Sequence, residues 1–194
     1  MRKFLNQKIN SSGFTLVETL VSLSIFSIAV IVMMSFLSQG LSDTGYAKKK
    51  ATAAYLAQEG VEYIRNLRDT YMLYSSSSQA GWGAFLGKLN PNSCGSANGC
   101  YFDDRDIFLG NSMPITNLFF YPCSSSSCPS GELLYNANTG KYSYVGGSPS
   151  GYVRKIKYST VSANEIKVTS TVSWTQKSSS YSISFSENIF LWLD

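Results

Sequence analysis

The feature that most limits what this chain can become is a run of 24 residues near its start, FTLVETLVSLSIFSIAVIVMMSFL at positions 14–37, with a single charge at Glu18. Coiled as a helix at 1.5 Å per residue, the run would span about 36 Å, sufficient for a bilayer core with some tilt. Ahead of it stands a short, basic stretch of thirteen residues, MRKFLNQKINSSG, holding Arg2, Lys3 and Lys8 and ending in the small residues Ser11-Ser12-Gly13. A secretory signal carries its small-residue cleavage site after the apolar run. Here the order is reversed. A cut after Gly13 would remove only the charged tip, keep the apolar helix on the mature chain and create an α-amino group on Phe14 at the membrane face.

Those residues carry a resemblance. Gly13-Phe14-Thr15-Leu16-Val17-Glu18 resembles the cleavage and methylation motif of type IV prepilins and type II secretion pseudopilins, with Gly before the cut, Phe after it and Glu as the fifth mature residue. The likeness is strong over residues 1 to about 40. Further on, Ala57-Gln58-Glu59-Gly60-Val61-Glu62 and Ile64-Arg65-Asn66 resemble bacterial minor pilins and pseudopilins. Past residue 70 only a general layout is shared. The resemblance implies a structural subunit of an extracellular type IV pilus-like filament; the alternative is a pseudopilin of a type II secretion or DNA-uptake system. It also implies a prepilin peptidase that cuts after Gly13 and N-methylates Phe14, other pilin subunits as partners, and an assembly platform protein and ATPase. The precursor is then a single-pass inner-membrane protein with a cytoplasmic N-terminus.

Glu18 is the residue on which assembly would turn. A carboxylate inside an apolar helix costs about 2.5–3.5 kcal/mol on insertion scales and normally has a partner. The nearest cation after the cut is the α-ammonium of Phe14, one turn away. The resemblance implies that Glu18 instead neutralises the N-terminus of a neighbouring subunit and sets axial register. The plainer reading places Glu18 at headgroup level, where a helix N-terminus favours an acid. Ser22, Ser24, Ser27 and Ala29 could let helices approach closely. Lys48-Lys49-Lys50 reads as a solvated face rather than a phosphate site.

Beyond the run, from about Asp43 to Asp69, Ala47, Ala51, Ala54, Tyr55, Val61, Ile64 and Leu67 mark one apolar face of a polar helix. The expected layout is therefore a leader at 1–13, a long helix over 14–69 with a transmembrane or filament-core half at 14–37, and a globular domain over 70–194. Gly40 and Gly45 interrupt the helical pattern at about 1 kcal/mol each relative to Ala. They predict a kink or melting point, or two helices joined by a loop.

Composition fits an exported, loop-rich domain. Charged residues are 14% of the chain, and net charge falls from +4 to +1 once the three leader cations are removed, too little for a general nucleic-acid binder. Histidine is absent, which removes the commonest general base and metal ligand, and no nucleophile–base motif is visible. No enzyme and no cofactor are expected. The four cysteines, Cys94, Cys100, Cys123 and Cys128, lie among Gly, Ser, Pro and Asn and read as two disulfides. Three pairings are open, local closure being the expectation; a four-thiolate zinc site is disfavoured by its spacings and by an oxidising compartment. Asp103-Asp104-Arg105-Asp106 invites a calcium reading through the likeness to pseudopilins, but its spacing matches no calcium loop and Arg105 opposes it.

Residues 75–150 read as an irregular disulfide-bearing insert, with a hairpin at 132–145 around Asn138-Thr139-Gly140. Residues 151–193 read as antiparallel strands, with Tyr152, Ile156 and Tyr158, then Ile166, Val168, Val172 and Trp174, then Tyr181, Ile183 and Phe185 inward; Ile189–Trp192 is a last strand or a packed tail. The apolar face of such a sheet needs a cover, and the amphipathic helix half is the available one. The fold expected is α+β: a long N-terminal helix, hydrophobic then amphipathic, packed on a small antiparallel sheet. The 13 tyrosines and 11 phenylalanines belong mostly to its core and cross-strand pairs. Adhesion is conceivable but falls on no particular residue.

Overall fold

A computed structural model describes residue 13 and residues 15–89, 93–104 and 114–192. The leader at 1–12, Phe14, Arg105 and Asp106 lie outside the described residues. The chain divides into two compact units, Met1–Gly45 and Tyr46–Asp194. Helix α1 spans Leu16–Tyr74 and α2 spans Ser78–Leu89. Seven strands follow: β1 Cys100–Phe102, β2 Phe120–Pro122, β3 Glu132–Asn136, β4 Lys141–Ser143, β5 Ser148–Ser162, β6 Glu165–Gln176 and β7 Ser179–Phe190.

They make one antiparallel sheet centred on β5. Along one edge of β5 runs β6, which in turn pairs with β7. Its other edge is shared end to end by the β1–β2 and β3–β4 hairpins. The expected α+β fold is the fold found. Within the second unit, α1 from Tyr46 onward packs on the sheet through two apolar clusters. Ala53, Leu56 and Ala57 meet Leu133, Tyr152, Val172 and Trp174. Ile64, Leu67 and Met72 meet Phe102, Phe120, Ile156, Ile166, Val168 and Ile189, together with Trp82, Phe85 and Leu89 of α2.

Several expectations need correction. The helix is assigned without a break through Gly40 and Gly45, so the melting point and the two-helix alternative are not realised. About 1 kcal/mol per glycine is small against the cooperativity of a long helix. The buried stripe of α1 also differs from the expected one at its start. Ala47, Ala51 and Tyr55 are exposed, while Ala53, Leu56 and Ala57 are buried. Alanine signals burial weakly, and the true stripe is in phase with Val61, Ile64 and Leu67. Finally, α1 continues past Asp69 to bury Met72, and the supposedly irregular insert begins with α2. Its glycines hid a four-residue rhythm of Trp82, Phe85 and Leu89, all buried, started by the Ser77 hydroxyl accepting from the Ala80 amide at 3.3 Å.

The hairpin and meander follow the sequence reading. Asn136 closes the β3–β4 turn, its side-chain oxygen accepting from the amides of Asn138 and Thr139, with Gly140 at φ +69°. Ile166, Val168, Val172 and Trp174 are buried as expected. The last stretch is strand as far as Phe190, with Ile189 in the core.

The closest approach of helix to sheet is at Gly60. A Cβ there would lie 2.5 Å from the Ser170 Oγ and 3.2 Å from its Cβ. Alanine at this position gains about 1 kcal/mol of helix propensity and loses more by pushing two elements apart. Gly60→Ala is expected to lower unfolding free energy by about 1–2 kcal/mol net, and Ser170→Gly in the same chain to recover most of that loss. Urea unfolding followed by near-UV circular dichroism measures both.

Candidate functional site

The N-terminal motif is built by a helix start. Thr15 precedes the first residue of α1, and its hydroxyl accepts from the Glu18 amide at 3.3 Å. Thr15-x-x-Glu18 is thus a capping-box spacing with Glu18 at the third helical position. There the helix dipole favours a carboxylate. Glu18 thus stands at a helix start, with its side chain exposed.

The rest of the first unit's helix buries nothing within the chain. In its most apolar 18-residue window mean hydropathy is 2.5 and no residue is buried, so the helix is long and apolar enough to cross a membrane. Phe26, Ile31, Met33 and Phe36 are each more than 60% exposed, an area that water would penalise heavily. Several hydroxyls on the span bond to the helix itself. Ser22 donates to the Glu18 carbonyl at 2.7 Å, Ser24 to Val21 at 2.8 Å and Ser27 to Leu23 at 2.8 Å. Such back-bonding lets polar side chains sit in hydrocarbon without a partner.

A second polar constellation lies inside the globular unit, and the sequence reading missed it. Arg154, which its charge alone would place in solvent, is on the inward face of β5 and 2% exposed. Its Nη1 donates to the Glu59 carboxylate of α1 at 2.8 Å, and its guanidinium lies 4.3 Å from the centre of the Phe102 ring. Tyr144 stands on another side, its ring centre 5.8 Å from the same guanidinium. Burial pushes the Tyr144 phenol up from its ordinary value, Arg154 opposing. The alternation Tyr152-x-Arg154-x-Ile156 was the available signal.

The cysteines pair locally, Cys94–Cys100 and Cys123–Cys128, with Cα separations of 4.6 and 4.7 Å. All four thiols are consumed, which overturns the zinc alternative. Among the described residues no three His, Cys, Asp or Glu side chains converge on a metal position. Asp103 is buried and Asp104 half-buried.

The family model for the prokaryotic N-terminal methylation motif matches residues 8–34. The chain carries the prepilin signal of type IV pilins and pseudopilins, followed by a long apolar helix. This signal supports a type IV pilin-like or pseudopilin protein, and it implies processing by prepilin peptidase and assembly with other pilin subunits. Such an N-terminus suits an inner-membrane-anchored precursor. No curated protein and no solved structure matches the chain.

Burial raises the Asp104 pKa, as does the neighbouring Asp103, while Arg154 opposes them. A carboxyl whose folded pKa is raised contributes stability that is full below the unfolded value and is lost as pH rises through the folded one. Asp104→Asn is therefore expected to be more stable than the wild type at pH 7. The gap should close as pH is lowered to about 3.5, where both states of the wild type hold the proton. Thermal unfolding from pH 3 to 8 checks the sign.

Proposed function

We propose that this chain is a structural subunit, not an enzyme, of an extracellular type IV pilus-like filament. The observation that carries the reading is the union of two features. A prepilin motif occupies residues 8–34, and in the most apolar 18-residue window of the helix it opens no residue is buried. Lipid covers that apolar stretch before assembly, and neighbouring apolar helices cover it afterwards. Cleavage falls between Gly13 and Phe14, and the peptidase then methylates the new α-amino group of Phe14. The leader, carrying Arg2, Lys3 and Lys8, stays on the cytoplasmic side.

Glu18 supplies the register. Exposed at the third position of the helix, its carboxylate is free to meet the ammonium of a neighbouring subunit. In surroundings of low dielectric an unmatched charge is expensive, so a wrong stagger is disfavoured. Force and docking come from an assembly ATPase and platform protein; this chain contributes geometry.

Intact-mass analysis of protein from cells with and without the peptidase tests this. The wild type is expected to lose residues 1–13 and gain one methyl group. Gly13→Ala should stay uncut. Glu18→Ala should be cut yet fall at least tenfold in sheared surface filaments. A wild-type chain that stays uncut, or is cut beyond residue 37, would overturn the reading. Filaments confined to the cell envelope would move it to a secretion pseudopilus.

A further inference from the structure

The face of the sheet turned away from α1 has a composition unlike the rest of the molecule. Strand register sets its rows. Val153, Ser173 and Ser182 lie side by side, then Lys155, Thr171 and Ser184, then Lys157, Thr169 and Ser186, then Ser159, Lys167 and Asn188. Hydroxyls link across the rows, Thr169 to Ser186 and Thr171 to Ser184, each at 2.8 Å. Three lysines and a field of hydroxyls thus share one face of the sheet.

This surface is grooved. One depression of about 400 Å³ runs over Thr171, Ser173, Thr175 and Ser182, walled by Ser126 and Ser127 of the loop that the Cys123–Cys128 bond closes. A second of about 260 Å³ lies over Lys157, Ser159, Lys167 and Thr169. Thr171 borders both, so the two depressions follow one another along the track of β6. Between Thr175 and Lys167 the track follows roughly 26 Å of strand, at about 3.3 Å per residue. Lys155 edges it at the centre, donating to the Ser126 carbonyl at 2.7 Å and so holding the loop wall.

Beyond the lysines stands an aromatic strip. A Cβ on Gly99 would touch the Cγ atoms of both Lys157 and Lys155, which places the outward side of β1 next to them. The next outward residue, Tyr101, stacks on Tyr121 with ring centres 5.3 Å apart. Phe119 meets Tyr121 edge-on at 4.8 Å and is 53% exposed. Two carboxylates reach the margins of the face. Glu165, at the far end, accepts from Asn188 at 2.7 Å, and Glu132 lies opposite Val153. Neither lies in the rows of Lys155 and Lys157.

We infer that this face binds an anionic polysaccharide. Its hydroxyl floor matches the many donors and acceptors of a sugar chain, and the lysines match spaced carboxylates or sulfates. The tyrosine and phenylalanine rings offer apolar faces to the C–H side of a pyranose. A nucleic-acid duplex fits poorly, because it presents about one charge per 1.7 Å of axis, far denser than three lysines spread along this track. The site belongs to the globular unit and stands whether or not the chain polymerises.

The test uses the full chain in non-ionic detergent, titrated with oligogalacturonate and dextran sulfate, with neutral dextran as control. Binding is expected for both anionic chains, weakening as sodium chloride rises, and absent for dextran. Lys155→Gln, Lys157→Gln and Lys167→Gln combined should weaken it at least tenfold. Lys157→Gln alone, which leaves the Lys155–Ser126 contact in place, should weaken it several-fold with unchanged thermal unfolding. Lys141→Gln on β4 should change nothing. The inference is overturned if neither anionic chain binds at millimolar concentration or if the triple variant binds as the wild type does. It is also overturned if duplex DNA or anionic lipid vesicles bind more tightly than the polysaccharides at the same salt.

Discussion

The globular unit depends on a narrow polar seam between α1 and the sheet. Gly60 lies over Ser170, and Glu59, one residue earlier, meets Arg154 across the same gap. This seam separates the two apolar clusters. On the helix it lies between Ala57 and Ile64, on β5 between Tyr152 and Ile156, and on β6 between Val168 and Val172. A buried ion pair adds little net stability compared with apolar packing, but breaking one costs several kcal/mol. Its contribution here is register. Sliding the helix by a turn would leave the Arg154 charge buried without Glu59 and put a side chain where only Gly60 fits. Arg65 adds a second fixed point, with its Nε and Nη2 reaching the two carboxylate oxygens of Glu187 at 3.1 and 2.5 Å. Bidentate geometry of that kind resists rotation as well as translation.

The stretch Ala57–Asn66 supplies the helix side of this interface. Ala57, Gly60, Val61 and Ile64 are buried against the sheet, and Glu59, Glu62 and Arg65 make its ion pairs. Nearly every residue of the stretch has a contact to satisfy. The helix side of this interface is therefore densely determined by its contacts.

Legibility in the sequence tracked how strongly each segment declares its period. The meander β5–β6–β7 could be read because Ile166, Val168, Val172 and Trp174 alternate without exception save Ser170. The 24-residue run could be read because nothing else explains so few charges. The start of the helix stripe was misread because Ala47 and Ala51 fit either environment, while Leu56 went unused. Helix α2 was hidden by Gly81, Gly83 and Gly87, although Gly81 serves the packing: a Cβ there would fall 2.6 Å from the Tyr71 carbonyl oxygen. Arg154 was misplaced because charge suggests solvent, and only the partner on a different element, Glu59, makes its burial tolerable. Thr15 was quoted within the motif but its role as a cap was not drawn out, since a cleavage motif and a capping box use the same letters.

That overlap bears on how one short segment can satisfy several masters. A carboxylate at the third helical position is favoured by the backbone amides around it before any neighbour arrives. Glu18 is thus exposed in the part of an apolar span where a charge costs least. Placed a turn or two deeper, the same carboxylate would lose the cap and the dipole and face the full insertion penalty. Placed before Thr15, it would lie outside the helix and carry no fixed axial position. The position therefore follows from electrostatics: it is the deepest point at which the helix itself still stabilises a negative charge, and a charge so placed is ready for an ammonium supplied from elsewhere.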